Sequence, residues 1–331
     1  MAPVPPVAGS CPIPHRGRRR RTPPTAAVAA WNDEAVRHRF ACPVRWADLD
    51  LLGHVNNVRY VDYLQEARLD MLRAHREASG ATGAGDDPAD GIIVIRHEVT
   101  YTAPLPFRFR PVFIECWVTS LRRATFTMSY EVFEETAEGE RTVYLRARTV
   151  LAPYRLDEER PRRLTDEERA ALQVFVEEDG GPAPAPSPFT VRRNEDFHYP
   201  VHVRFSDVDV YRHVNNVVYF EYFQEARIRM MAALGRGARD VPQLHVVVAQ
   251  ADVDYLAPIT LRAEPYDCWS QVARVGDRSV TVESEIVDGD RVLARTRVVL
   301  VFFDTETQRA ASPPEVYRER LRAAMEGRPL T

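Results

Sequence analysis

The sequence predicts an α+β protein in which one unit occurs twice, each unit a long helix packed on a five-stranded antiparallel sheet. Three observations carry that expectation. At 331 residues the chain suits about two domains of ~150 residues each. One passage of 25 residues is written twice, as V-R-W-A-D-L-D-L-L-G-H-V-N-N-V-R-Y-V-D-Y-L-Q-E-A-R over 44–68 and V-R-F-S-D-V-D-V-Y-R-H-V-N-N-V-V-Y-F-E-Y-F-Q-E-A-R over 203–227, with 15 identities and no gap. Around both copies the segments recur in one order: a strand-like run, the passage turning into an amphipathic helix, then four more strand-like runs. Such strands leave one apolar face to cover, and the unit's single long helix can cover it.

Taken in order, residues 1–36 form a Pro- and Ala-rich tail with the basic run Arg16-Gly17-Arg18-Arg19-Arg20-Arg21. The run has no apolar signal-peptide core beside it, so a disordered tail is expected, with a nucleic-acid or membrane arm as the alternative. The first domain, 37–176, opens with a strand through Val44 and Trp46 that leads into the repeated passage. A helix is expected from about Asn56 to an Ala/Gly-rich loop at 78–91. Its apolar stripe is Tyr60, Tyr63, Leu64, Ala67, Met71 and Leu72. Strands follow near 92–103, 111–122, 125–135 and 141–153, and Thr165-Asp166-Glu167-Glu168 reads as a capping box. A Pro-rich linker spans 177–194 around Gly180-Gly181-Pro182.

The second domain, 195–331, repeats the plan: strand 197–206, helix about 215–234, strands near 243–256, 261–274, 278–288 and 291–303, and a terminal helix after Ser312. Tyr101…Pro104 echoes Tyr255…Pro258, and Cys116-Trp117 echoes Cys268-Trp269. Two like units in one chain are expected to pair as an internal pseudo-dimer, since paired copies favour two-fold contacts.

Composition narrows the function. An apolar share of 45% and a charged share of 28% describe an ordinary globular protein, expected to be cytoplasmic. The net charge of −4 gives the folded part no general attraction to nucleic acid, although every basic residue is Arg and none is Lys. No apolar run reaches the ~18–20 residues of a membrane span. Cys11, Cys42, Cys116 and Cys268 form no C-x-x-C pair, which argues against zinc and against a disulfide framework. Cys116 and Cys268 are expected to be small buried hydrophobes.

Within the repeated passage both copies keep Asp48/Asp207, Asp50/Asp209, His54/His213, Asn56-Asn57/Asn215-Asn216 and Glu66/Glu225. The spacing D-x-D-x-x-[GR]-H-V-N-N-x-x-Y, on a strand–turn–helix followed by four strands, resembles the hotdog-fold acyl thioesterases. The groups it resembles are the 4-hydroxybenzoyl-CoA thioesterase-like and the plant-type acyl-ACP enzymes. The resemblance covers about 37–325 and, being doubled, implies a tandem double-hotdog protein. It implies hydrolysis of an acyl-CoA or acyl-ACP thioester to a carboxylic acid and a free thiol, with no metal or redox cofactor. It also implies that Asp50 and Asp209 are the catalytic base or nucleophile and that His54 and His213 polarise or position the substrate. Backbone N–H groups at each helix start would hold the thioester oxygen, and the acyl chain would lie between the two units. Further homo-oligomerisation is compatible with it. The plant-type enzymes carry an Asn two residues after the catalytic Asp; Leu52 and Tyr211 stand there in this chain.

The chemistry of these residue types fits. Thioester hydrolysis needs a base or nucleophile at the carbonyl carbon and donors for the developing oxyanion, and a helix start supplies unpaired N–H groups. Each residue also has a plainer reading. Asp50/Asp209 would cap a turn, and His54/His213 would satisfy buried backbone. Asp48/Asp207 would brace the turn by hydrogen bonding to backbone. Asn56, Asn57, Asn215 and Asn216 suit helix capping, which fixes the N–H groups. Glu66/Glu225 and Arg68/Arg227 read as ion pairs or surface charges. Gly53 would let backbone approach a ligand, but its counterpart is Arg212, so the two sites are expected to be inequivalent. Two other functions compete. A hotdog dehydratase or hydratase would resemble D-x-N-P-x-H, whereas here Asp-to-His intervals are four and six with no Asn-Pro. A non-catalytic acyl-thioester-binding protein would be favoured by loss of one carboxylate, and both are kept.

Overall fold

The structure is a computed structural model that describes residues 37–79, 90–177, 188–235, 245–304, 306–307 and 309–329. The tail expected at 1–36, most of the loop at 78–91 and the centre of the linker lie outside the described residues. Both repeats belong to one compact unit, Ala35–Thr331.

In the first repeat, β1 (His38–Cys42) precedes a 3-10 turn (Trp46–Asp48) and helix α1 (Arg59–Ser79). Strands β2 (Asp90–Tyr101), β3 (Val112–Leu121), β4 (Phe126–Glu135) and β5 (Arg141–Arg155) follow, with a short β6 (Arg160–Pro161) and helix α2 (Asp166–Gln173). The second repeat has β7 (His198–Val201), a 3-10 turn (Phe205–Asp207) and α3 (Val218–Gly235). It continues with β8 (His245–Tyr255), β9 (Tyr266–Val275), β10 (Ser279–Asp288), β11 (Arg291–Asp304), β12 (Arg309–Ala310) and α4 (Glu315–Glu326). Each repeat thus contributes five antiparallel strands and one long helix, as the sequence predicts.

The two five-stranded sheets are one. The strand order is β1-β3-β4-β5-β2-β8-β11-β10-β9-β7, with β6 and β12 added on β5 and β11. At the junction β2 runs antiparallel to β8, pairing His97 with Val253, Glu98 with Asp252 and Val99 with Ala251. Counterparts in these strands are 154 apart (255 − 101), so Glu98 faces its own counterpart and the register mirrors itself on either side. Edge strands are liabilities, and this junction pairs one inner edge with the other.

The long helices cover one face. On α1, Val61, Leu64, Ala67 and Met71 are fully buried, and Cys116 of β3 sits 3.8 Å from both the Ala67 carbonyl and the Met71 sulfur. Cys116 and Cys268 are buried, as expected of small hydrophobes, and burial pushes the Cys116 thiol up to about 12. The Thr165 capping box forms in both directions, Thr165 Oγ1 accepting from the Glu168 N–H at 3.1 Å and Glu168 from the Thr165 N–H at 2.9 Å. Residues ahead of β7 pack on the second repeat, where Val191 is buried with Trp269 and Val287.

The first strand of each repeat is shorter than the sequence suggests. β1 stops at Cys42, before Pro43 and Trp46, because Asp48 accepts the Arg45 N–H at 2.9 Å and bends the chain into a 3-10 turn. Asp207 does the same to Arg204 at 2.8 Å, ending β7 at Val201. Pro200 is tolerated there because β7 is an edge strand. The helices also start later than Asn56 and Asn215, at Arg59 and Val218.

Candidate active site

Each motif folds as a closed loop between the 3-10 turn and the long helix. In the first, the Asp50 N–H donates to the His54 carbonyl at 2.8 Å, a bridge joins Leu49 to Val55, and the Asn56 N–H donates to the Asp48 carbonyl at 2.8 Å. In the second, Asp209 N–H to His213 carbonyl (2.9 Å), Val208 to Val214 and Asn215 N–H to Asp207 carbonyl (2.9 Å) repeat the pattern. Each loop is also tied to the segment after the first inner strand, through Val55 N–H to Leu105 carbonyl and Val214 N–H to Ile259 carbonyl.

Asp48 and Asp207 lie beneath these loops and are both buried. Asp48 accepts the Arg45 N–H and guanidinium and the Tyr63 hydroxyl at 2.6 Å. Asp207 accepts the same groups of Arg204 and Tyr222, again 2.6 Å from the hydroxyl. Burial pushes the Asp48 carboxyl up, but the hydrogen bonds of Arg45 and Tyr63 outweigh it and hold the group below its ordinary value.

Asp50 and Asp209 are half-buried at the loop bases. Asp50 Oδ1 accepts the Leu52 N–H at 2.8 Å and the His54 N–H at 3.4 Å, and Asp209 Oδ1 accepts the Tyr211 N–H at 2.9 Å. Burial raises the Asp209 carboxyl above its ordinary value, against the opposing pull of the Tyr211 N–H and of His213. The imidazoles of His54 and His213 make no side-chain hydrogen bond among the described residues. Asp209 lines a cleft of about 390 Å³ together with Asn215, Val217 and Val218 at the start of α3 and Arg59 and Asp62 at the start of α1. The two helix starts therefore meet at this cleft, and Arg59 pairs with Glu221 across it at 2.9 Å.

At the helix starts, Asn56 Oδ1 accepts the Val58 N–H and Asn215 Oδ1 the Val217 N–H, both at 3.2 Å. The carbonyls of Asn57 and Asn216 accept the hydroxyls of Tyr101 and Tyr255, both at 2.8 Å. The N–H groups of Asn57 and Asn216 form no hydrogen bond among the described residues.

A family model described as the thioesterase-like superfamily matches residues 44–187 and 203–321, one match on each repeat. The chain belongs to that superfamily. A protein of Lactobacillus plantarum to which oleoyl thioesterase activity is ascribed superposes with a TM-score of 0.64 at 17% identity, over 82% of this chain and 98% of its own. The 12:0-ACP thioesterase of Umbellularia californica superposes with a TM-score of 0.59 at 17% identity, over 81% and 94% of the two chains. These likenesses establish the tandem hotdog fold. In sequence, the uncharacterized protein YsmA of Bacillus subtilis (strain 168) is 32% identical over 127 residues, which are 38% of this chain and 84% of YsmA.

The thioesterase-like repeats differ from the sequence reading at Arg68 and Arg227. Arg68 and Arg227 are neither surface charges nor ion-pair members, for both are buried and neither meets a carboxylate among the described residues. Burial pulls the Arg227 guanidinium down to about 10, and Arg68 reaches the Tyr130 hydroxyl at 3.5 Å. A signal for this was present, since Arg68 falls on the stripe Leu64, Ala67, Met71. Glu66 and Glu225 are exposed, as expected. At the position of Gly53 the loop needs a left-handed backbone: the φ of Gly53 is +77° and that of Arg212 is +63°.

Sequence reading also passed over His97, Gln65 and Thr149. His97 of β2 is fully buried, with Nε2 3.1 Å from Asn216 Oδ1 and Nδ1 2.9 Å from Thr149 Oγ1. Asn216 Nδ2 donates to Gln65 of α1 at 3.0 Å and to Asn215 Oδ1 at 3.1 Å. A lone histidine on a strand carries no sequence signal of a contact with a residue 119 positions away.

Proposed function

We propose that this protein hydrolyses acyl thioesters, of coenzyme A or of an acyl carrier protein, to a carboxylic acid and a free thiol. The observation that carries the reading is the coincidence, in a thioesterase-like chain, of a half-buried motif carboxylate with a helix start where the N–H of Asn57 or Asn216 makes no hydrogen bond among the described residues. Both motifs have it, and at the second the carboxylate and the helix start share a cleft.

In this reading the Asp209 or Asp50 carboxylate takes a proton from water, and the oxygen attacks the thioester carbon. Alternatively the carboxylate attacks first and water hydrolyses the resulting anhydride. The N–H of Asn216 or Asn57 donates to the oxyanion as it forms, and the positive end of the helix favours the same charge. Collapse expels the thiolate, and the proton that the Asp took from water passes through solvent to it, which restores the carboxylate. A thiolate leaves readily, so a strong general acid is not demanded of His54 or His213, whose role is to position the acyl group. Asn56 and Asn215 hold the helix starts, and Asp48 and Asp207 hold the loops that carry the catalytic carboxylates. The acyl chain would extend between the repeats.

Thiol release from short, long and aromatic acyl-CoAs and from acyl carrier protein thioesters tests the reading. Compared with wild type, the double variant Asp50→Asn/Asp209→Asn is expected to lose on the order of 10²-fold or more in kcat. Unchanged turnover by that variant would overturn the assignment of the carboxylates.

A further inference from the structure

The two sites are built from equivalent motifs and an Arg59–Glu221 pair joins their helix starts, but among the described residues only the second has its helix-start asparagine side chain hydrogen-bonded to the other repeat. Asn216 uses every polar atom of its side chain. Its Nδ2 donates to Gln65 and Asn215, and its Oδ1 faces His97 Nε2. A carboxamide oxygen can only accept, so Nε2 carries the proton and Nδ1 accepts from the Thr149 hydroxyl. This neutral tautomer is the one its surroundings favour: burial, with Arg68 nearby, lowers the imidazole to about 3 even though Asn216 opposes the shift. Phe220 and Tyr255 flank the ring edge to face, with centroids 5.8 and 5.9 Å away. Tyr255 also holds the Asn216 carbonyl at 2.8 Å. Side chain and carbonyl of Asn216 are thus both fixed, and its N–H makes no hydrogen bond among the described residues.

The mirrored register of β2 and β8 shows what the first site has instead. His97 pairs with Thr149 across β2 and β5, and the corresponding pair across β8 and β11 is Ala251 with Val298. Neither of those side chains has a hydrogen-bonding group. Asn57 keeps the tyrosine on its carbonyl, and its side chain is turned to the same Tyr101 of its own repeat, with no hydrogen bond to the second repeat among the described residues.

We propose that His97, supplied by the first repeat, is a positioning residue for the Asp209 site: it locks Asn216 and so aims the start of α3 at the thioester, a support that the Asp50 site lacks. The inference rests on the thioesterase reading above. It makes the first repeat a structural part of the second repeat's site.

The test sets His97→Leu and His97→Gln, each in the Asp50→Asn and Asp209→Asn backgrounds, with kcat and KM measured on the acyl-CoA that wild type hydrolyses fastest. With Asp50→Asn the remaining turnover belongs to the second site. There His97→Leu is expected to lower kcat by about tenfold to a hundredfold, the scale of a misplaced donor, with KM little changed. His97→Gln, whose amide N–H can reach the Asn216 oxygen, is expected to recover most of the loss. With Asp209→Asn, any turnover left belongs to the first site and should change less than about twofold. A role in folding alone would lower both backgrounds alike, and unfolding curves of each variant report that directly. Equal losses in the two backgrounds, an unchanged kcat for His97→Leu, or abolition of all turnover by Asp50→Asn alone would each overturn the proposal. A folded wild type that cleaves no thioester would instead overturn the thioesterase reading and this assignment with it.

Discussion

Gly53 and Arg212 occupy the same bend of the same loop, and only one of them is suited to it. A left-handed backbone costs an L-residue with a Cβ roughly 1–2 kcal/mol, and glycine nothing. Arg212 at φ +63° therefore carries a strain that Gly53 at +77° does not. Arg212→Gly is expected to stabilise the protein by about 1 kcal/mol in denaturant titration, and Gly53→Ala to destabilise it by a similar amount. The same neighbourhood sets a pH dependence. If Asp209 acts as its anion, turnover by the Asp50→Asn variant must fall as pH drops through the Asp209 pKa, which burial has raised above the ordinary aspartate value. The acid limb of kcat/KM is therefore expected above the usual aspartate range of about 4. A limb that stays flat to below pH 4 would remove Asp209 from the role of base.

At the scale of elements, the 3-10 turn is a small device with large leverage. One buried carboxylate takes the backbone N–H and guanidinium of the arginine three residues before it, and a tyrosine hydroxyl from the second turn of the long helix. Turn, loop and helix are thereby tied to one atom group. Tyr222→Phe removes a 2.6 Å hydrogen bond to a buried charge, a loss of about 1.5–3 kcal/mol. Thermal unfolding should register it, and Tyr63→Phe should cost about as much. The sequence made the helix, the strands and the doubled loop readable, because apolar period and repetition are local signals. It misread the segments before each loop as strand, since Val44, Trp46 and Phe205 favour strands, while the bend comes from Asp48 and Asp207 pulling on backbone. It also left Arg68 and Arg227 at the surface, because burying a guanidinium without a carboxylate runs against the usual expectation. His97 was illegible for a different reason: its partner belongs to the other repeat.

At the scale of the molecule the two repeats are joined along β2 and β8, and that seam is not symmetric in charge. Arg96 lies 2.9 Å from Glu98, 2.5 Å from Asp254 and 3.8 Å from Asp252, so one cation serves three carboxylates. The counterpart of Arg96 in β8 is Gln250, which donates to Asp252 at 2.9 Å and brings no charge. Two copies of the second repeat paired along β8 in this register would set Asp252 against its own copy and Asp254 against Gln250, with no cation beside them, so this seam favours the first repeat as partner. No helix among the described residues is long and apolar enough to cross a membrane. In Arg96→Gln the three carboxylates would face one another across the seam, and the loss is expected to be about 1.5–3 kcal/mol near neutral pH. The sign of its pH dependence follows from Asp252, whose carboxyl burial already holds above its ordinary value. A carboxyl with a raised folded pKa favours the folded state while protonated, and that advantage is lost as pH rises through the folded value. Removing Arg96 raises it further, so the deficit of Arg96→Gln relative to wild type should shrink as pH is lowered from 7 toward 5. Urea titrations of both proteins at the two pH values measure this. A deficit that grows on acidification would mean that the seam is held by something other than the charges around Arg96.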